Sequence, residues 1–142
     1  MLVKDVMHTR IVSVSPEEPA SFASRLLGRH NIGSLPVCSS DGVLKGILTD
    51  RDIVLRCVAA GNDPATTPVS EIMSRSVLTA SPMDDMKKLS ETMCTAQIRR
   101  VPVVDKGKVV GIVSLGDMAC QPRCDMEAAK ALTEISTNLR RK

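Results

Sequence analysis

Residues 46–53 read GILTDRDI, and residues 111–118 read GIVSLGDM. Each stretch holds a glycine, a short apolar run and a hydroxyl side chain, with an aspartate three places beyond the hydroxyl: Thr49 with Asp52, Ser114 with Asp117. A pattern written twice in one chain signals internal duplication. Sliding residues 3–54 against 69–119, with one residue deleted near Asp41, aligns twelve identical pairs among 51, where composition alone would yield about three or four. The identities fall at structural punctuation: Ser15-Pro16 with Ser81-Pro82, Ile32 with Ile98, Pro36-Val37 with Pro102-Val103, Gly42 with Gly107, and Gly46-Ile47 with Gly111-Ile112. This divides the chain into a first copy at 1–66, a second at 67–122 and an extra segment at 123–142. A repeat used only twice makes a pseudo-symmetric pair, not a solenoid.

The two copies read in the same order. A short apolar run, Ile11–Val14 or Val77–Ala80, predicts a strand that stops at Ser-Pro. Apolar residues at helical spacing follow: Ala23, Leu26, Leu27 and His30 in copy one, and Met86, Leu89, Met93 and Ala96 in copy two. Pro19 suits the first turn of the earlier helix and Asp85 the N-cap of the later one. Two strands come next in each copy, Leu35–Cys38 with Val43–Thr49 and Val101–Val104 with Lys108–Ser114, joined by the turn sequences SSDG and DKG. A helix over 50–60 places Ile53, Val54, Cys57 and Val58 on one face, and Gly61 with Pro64 ends it in the linker NDPATTP. Pro122 cuts the corresponding helix of copy two short. Beyond it, Met126, Ala129, Leu132, Ile135 and Leu139 predict an amphipathic C-terminal helix. The fold class is therefore α+β, strand–helix–strand–strand–helix twice, with pseudo-two-fold symmetry and one added helix. A three-stranded sheet with two helices buries little alone, which is a reason for the two units to pair.

Composition excludes several classes of function. At 142 residues, 43% apolar and 25% charged, the chain can bury a core without staples. Phe22 is its only aromatic residue, so no ligand is gripped by stacking. Net charge is +3, all of it in the second half, where Arg140, Arg141 and Lys142 contribute much of the excess. Duplex-binding domains carry a stronger basic stripe and single-strand platforms want aromatics, so nucleic acid is disfavoured as a partner. No apolar run approaches the roughly 18 residues of a membrane span. The start MLVKDVMHTR lacks the apolar stretch of a signal peptide, so the expected location is the cytoplasm. The five cysteines, at irregular positions, fit reduced thiols. Pro122 spoils the register of Cys120 and Cys124 as a pair, and His8 and His30 have no partnering ligand pattern. Met73, Met83, Met86 and Met93 read as adaptable packing. With no nucleophile–base arrangement, metal-ligand spacing or G-x-x-x-x-G-K, the expectation is a non-enzyme with no metal and no required cofactor.

The repeated motif has two readings. In the first, Thr49 and Ser114 cap a helix, while Asp52 and Asp117 reach back to complete a capping box, with no ligand involved. In the second, the strand ends at a helix N-terminus whose free N–H groups suit a phosphate, helped by the hydroxyl. An aspartate one turn inside repels a phosphate but accepts hydrogen bonds from a ribose diol. Hydroxyl plus carboxylate then suits a nucleotide better than a free anion.

The blocks NIGSLPVCSSDGVLKGILTDRDIV and QIRRVPVVDKGKVVGIVSLGDMA resemble the two halves of a CBS-domain pair, the Bateman module named after cystathionine β-synthase, over about residues 1–120. The order of motifs is also similar to small stand-alone bacterial pairs of the hypoxic-response type. The resemblance implies a regulatory module with two clefts between the paired motifs for adenosine-containing ligands such as AMP, ADP, ATP, NAD(H) or S-adenosylmethionine. One cleft would join Ser114 and Asp117 to Ile32, Gly33, Ser34, Leu35 and Pro36. The other would join Thr49 and Asp52 to Ile98, Arg99, Arg100, Val101 and Pro102, and Val14 and Ala80 would add backbone or aliphatic walls. It also implies a homodimer, or a separate effector protein, as the partner that carries the response. The alternative is a structural or stress-associated homodimer whose clefts stay empty. The copies differ where phosphates would lie: Arg99-Arg100 stand opposite Gly33-Ser34, and Arg51 opposite Gly116. Guanidinium binds phosphate through paired hydrogen bonds, so the cleft nearest Arg99 and Arg100 is expected to take the more highly phosphorylated ligand.

Overall fold

Helices and hairpins form where the apolar spacing predicts them. In the computed structural model, which describes residues 1–116 and 125–141, α1 spans Ala20–His30 and buries Ala20, Ala23 and Leu27. Pro19 is its N-cap, one place outside the expected first turn, because its ψ of 153° is extended and not helical. His30, expected on the apolar face, is exposed at the last turn. Asn31 closes the helix in the left-handed conformation, and its amide bonds the carbonyls of Gly28 and Leu27. β1 (Ser34–Cys38) and β2 (Leu44–Thr49) pair antiparallel, with a bulge at Val37/Cys38.

α2 (Asp50–Asp52) begins where β2 ends and passes into a π-helical run, Ile53–Val58. Ile53 and Cys57 are buried there, whereas Val54 and Val58, expected on the same face, are 55% and 58% exposed. Bonding from i to i+5 widens the turn, so positions one step further along rotate off the core-facing side. Gly61, at φ 79°, follows, and α3 (Val69–Ile72) completes this unit, which comprises Val12–Val77. Its core holds Leu35, Val37, Leu48, Val69 and Ile72.

A second unit comprises Met1–Ile11 with Leu78–Lys142. Here a short 3-10 turn, Val3–Asp5, precedes α4 (Met86–Ala96), whose N-cap Asp85 accepts from the Lys88 amide as expected. Met86, Leu89 and Met93 are buried; Ala96 is exposed. β3 (Arg100–Asp105) and β4 (Lys108–Ser114) form the second antiparallel hairpin. Its two-residue turn puts Lys106 and Gly107 at φ 52° and 81°, the positive values that a tight hairpin needs. The core gathers Val3, Met86, Met93, Val101, Val103 and Val113. Of the four methionines expected to pack, Met73, Met86 and Met93 are buried and Met83 is exposed.

The strands expected over 11–14 and 77–80 shrink to one bridge each. Val14 bonds Pro36 and Cys38 at 3.1 and 2.9 Å, and Ala80 bonds Pro102 and Val104 at 3.0 and 2.8 Å, both in parallel sense. In a parallel ladder the next residue to donate would be two places on. Pro16 and Pro82 occupy those places and have no N–H.

The other edge of each hairpin explains the repeated glycine. Ser74 exchanges two 2.9 Å bonds with Ile47, and His8 exchanges two 2.9 Å bonds with Ile112. The crossing is so close that a Cβ on Gly46 would stand 2.6 Å from the Ser74 carbonyl oxygen and 2.9 Å from Met73 Sδ. On Gly111 it would stand 2.6 Å from Met7 Sδ and 2.9 Å from the His8 carbonyl oxygen. Met7 and Met73 occupy equivalent places in the two copies, so an identical glycine meets an identical methionine in each unit. The opening residues of copy one thus belong with the hairpin of copy two, while residues 67–77 stay with the hairpin of copy one.

α5 (Asp125–Arg141) packs on α4. The expected stripe is rotated: Ala131 and Ile135 are buried, whereas Ala129 and Leu132 are exposed. The rotation lets Glu134 accept a hydrogen bond from the buried Cys94 thiol. That bond, burial and the Glu134 charge push the thiol pKa up, with Lys130 pulling the other way. A cavity of ≈ 500 Å³ beside this pair is lined by Lys87, Ser90, Glu91 and Lys130 among others. Asp117, Cys120, Pro122 and Cys124, with the side chains of Met126 and Leu139, lie outside the described residues.

Candidate functional site

β2 runs straight into α2, so Thr49 is at once the last strand residue and the helix N-cap. The Asp52 amide donates to Thr49 Oγ1 at 3.0 Å, and the Thr49 amide donates to Asp52 Oδ2 at 3.0 Å. The capping box read from the sequence is therefore made in copy one, both halves of it. It does not exhaust the carboxylate, which can accept several hydrogen bonds. Asp52 Oδ1 lies 3.8 Å from Arg56 Nε, and Arg56 Nη1 donates to the carbonyls of Ile72 and Met73 at 3.4 and 3.3 Å. The box fixes the direction in which the second oxygen points. Thr49→Ala is expected to lower stability by about 1 kcal/mol and Thr49→Ser to change it little, as read by urea unfolding.

The hairpin register brings part of the expected site together inside one unit. Ser34 stands opposite Thr49, and the Asp50 amide donates to the Gly33 carbonyl at 3.0 Å. Gly33 sits beside the Asp50 carboxylate, where a Cβ would come 3.6 Å from Oδ2. Asp50 Oδ1 in turn accepts from the Arg51 amide at 2.8 Å. Arg51 itself is exposed, and Ile32 packs half-buried against the core.

The second unit repeats the corner. Arg100 pairs with Ser114, and the Leu115 amide donates to the Arg99 carbonyl at 3.1 Å. Arg99 and Arg100 are both exposed, and neither makes an ion pair among the described residues. Ile98 is half-buried against its core. Asp117, the partner expected for Ser114, lies outside the described residues.

The remaining expected residues sit deeper. Leu35 and Val101 are fully buried, Val14 and Ala80 nearly so, and Pro36 and Pro102 are buried with them. Sequence reading missed Asp50 and Arg56. The second carried a signal, since an acid and a base four apart on a helix are neighbours. Among the described residues no group of three His, Cys, Asp or Glu side chains could hold a metal ion.

The CBS domain family model matches residues 3–58 and 69–120. The CBS domain-containing protein YhcV of Bacillus subtilis is 46% identical over 134 residues, covering 94% of each chain. The crystal structure of Hypoxic Response Protein I with two coordinated zinc ions has a TM-score of 0.79 and 34% identity, covering 85% of this chain and 98% of that one. The CBS domain pair of protein MJ0100, in complex with 5′-methylthioadenosine and S-adenosyl-L-methionine, has a TM-score of 0.75 and 32% identity, covering 84% and 98%. The two matched segments hold the two copies of the repeat, each with its own hairpin and strand-to-helix corner, and the chain belongs to the CBS domain family as a tandem pair.

Proposed function

We propose that this chain is a regulatory module that binds an adenosine-containing compound at its strand-to-helix corners. The observation that carries the reading is the Thr49–Asp52 corner. Its box holds a hydroxyl and a carboxylate at the end of a strand, with Oδ1 oriented and able to accept from a ribose hydroxyl. The MJ0100 pair, solved with two adenosine compounds, supports the ligand class. Ser114 with Asp117 supplies the second corner. The segments Ile32–Pro36 and Ile98–Pro102, exposed at Gly33 and at Arg99 and Arg100 and buried at their far ends, supply backbone groups around adenine, with Val14 and Ala80 bonded to those buried ends. Arg99 and Arg100, exposed and in no ion pair among the described residues, offer positive charge to phosphate, so they favour ATP over AMP at the site they serve. The response travels by association, in a homodimer or with a separate effector protein, because differential affinity for two arrangements shifts their populations. No described helix is long and apolar enough to cross a membrane, and we place the module in the cytoplasm.

Thermal unfolding with AMP, ATP, NADH and S-adenosylmethionine tests this. A ligand at about 100 times its Kd stabilises the native state by about 2.7 kcal/mol, a rise of several degrees in Tm. Replacing Arg99 and Arg100 by Gln is expected to shrink the rise with ATP and spare that with AMP. A flat profile with all four compounds defeats the proposal and leaves the corners as caps alone.

A further inference from the structure

The geometry points to Arg56 as a positioning residue that ties the Asp52 carboxylate to the strand-edge segment Met73–Ser74. For the role of Asp52 toward a ligand this rests on the function proposed above; the tie itself consists of contacts inside one unit. α3 is only four residues long, and its last carbonyls have no intrahelical donor. Arg56 supplies one, bonding the Ile72 and Met73 carbonyls while its Nε faces Asp52 Oδ1. A planar guanidinium with five N–H groups can hold a carboxylate and carbonyls at once, which a point-charge ammonium does less well.

The next residue, Ser74, makes both ladder bonds to Ile47 above Gly46. β2 then returns from Ile47 to Thr49, so the contacts close a ring: Thr49, Asp52, Arg56, Met73, Ser74, Ile47. Val77, three places on, is the last residue of this unit. A ribose hydroxyl donating to Asp52 Oδ1 shares that oxygen with Arg56 and withdraws part of the negative charge that Nε faces. Occupancy of the corner therefore alters the hold on the segment by which the chain leaves the unit. Copy two carries Gln121 at the place equivalent to Arg56, so its sequence cannot make the same ion pair. Among the described residues this tie is made at the corner of copy one.

The Arg56 side chain is half exposed, so the pair contributes little to global stability, and local opening is the sensitive readout. Amide hydrogen exchange at Ser74 and Ile47 is measured in the ligand-free protein for Arg56→Gln, Asp52→Asn and both together. Asn keeps an acceptor for the Thr49 amide while removing the charge. Each single change is expected to speed Ser74 exchange roughly threefold, with the double variant no faster than either single one. Arg56→Lys recovers only part of the protection. Effects that add independently, or a Ser74 amide indifferent to Asp52→Asn, overturn the inference. Adding S-adenosylmethionine then separates the two claims. Wild type that binds it should show a Ser74 change which Arg56→Gln abolishes; a protein that binds no adenosine compound defeats the proposed function, while the ligand-free result still decides the tie.

Discussion

Gly46→Ala lowers the unfolding free energy by about 2–3 kcal/mol, read from the urea midpoint at unchanged slope. The sign is the informative part. Replacing glycine by alanine in an ordinary conformation stabilises a protein by about 0.4–1 kcal/mol, because the unfolded chain loses freedom. At Gly46 the new methyl meets the Ser74 carbonyl oxygen at 2.6 Å, and that oxygen is fixed by its bond to the Ile47 amide. It cannot yield without breaking the ladder. Gly111→Ala has a smaller effect, because its nearest neighbour is the far end of the Met7 side chain, although the His8 carbonyl at 2.9 Å keeps the change unfavourable. Gly28 in α1 has nothing within 4 Å of an added Cβ, and Gly28→Ala is the control that stabilises, by about 0.5–1 kcal/mol. The same substitution thus has opposite signs at two places in one unit.

Leu35→Ala is expected to cost about 3 kcal/mol by the same measurement. Leu35 is fully buried, lies opposite Leu48 in the hairpin register and shares its core with Val37, Val69 and Ile72. Removing it leaves a cavity which the two-stranded sheet cannot collapse to fill. Its neighbour Ser34 is only half-buried, and Ser34→Ala stays within about 0.5 kcal/mol. A loss of ligand response in the first variant therefore reports a damaged core, and in the second a damaged surface.

Much of the fold was legible because duplication doubles every signal. The helix spacing around Ala23 and Leu27 and around Met86 and Met93, the turn glycines Gly42 and Gly107, and the Asp85 cap are local chemistry, and local chemistry is written in neighbouring residues. The π turn at Ile53–Val58 was not legible, since the period assumed for a helix was the α one. Nor was the face of α5, which is set by the reach of Glu134 to Cys94 on another element. The glycine of the repeated motif was legible as a repeated feature, but its cause was not. Its reason lies 28 residues along the chain, in the backbone of Ser74, and only the packed unit shows it. Of the candidate site, the hydroxyl–carboxylate pair and its box were readable from spacing alone, whereas Arg56 bonds carbonyls that no pattern search would associate with it.

The placement of Met1–Ile11 with Leu78–Lys142 sets an order of events during synthesis. Residues 12–77 emerge from the ribosome as one continuous run and can close their core at once. The first eleven residues, with Val3 and Val6 apolar and unhoused, must wait for β4 to be made. At about 5–20 residues per second that wait is on the order of ten seconds, and it ends by joining residues about a hundred apart, as in the paired bonds between His8 and Ile112. Residues 1–11, made before the unit at 12–77, find their place after it.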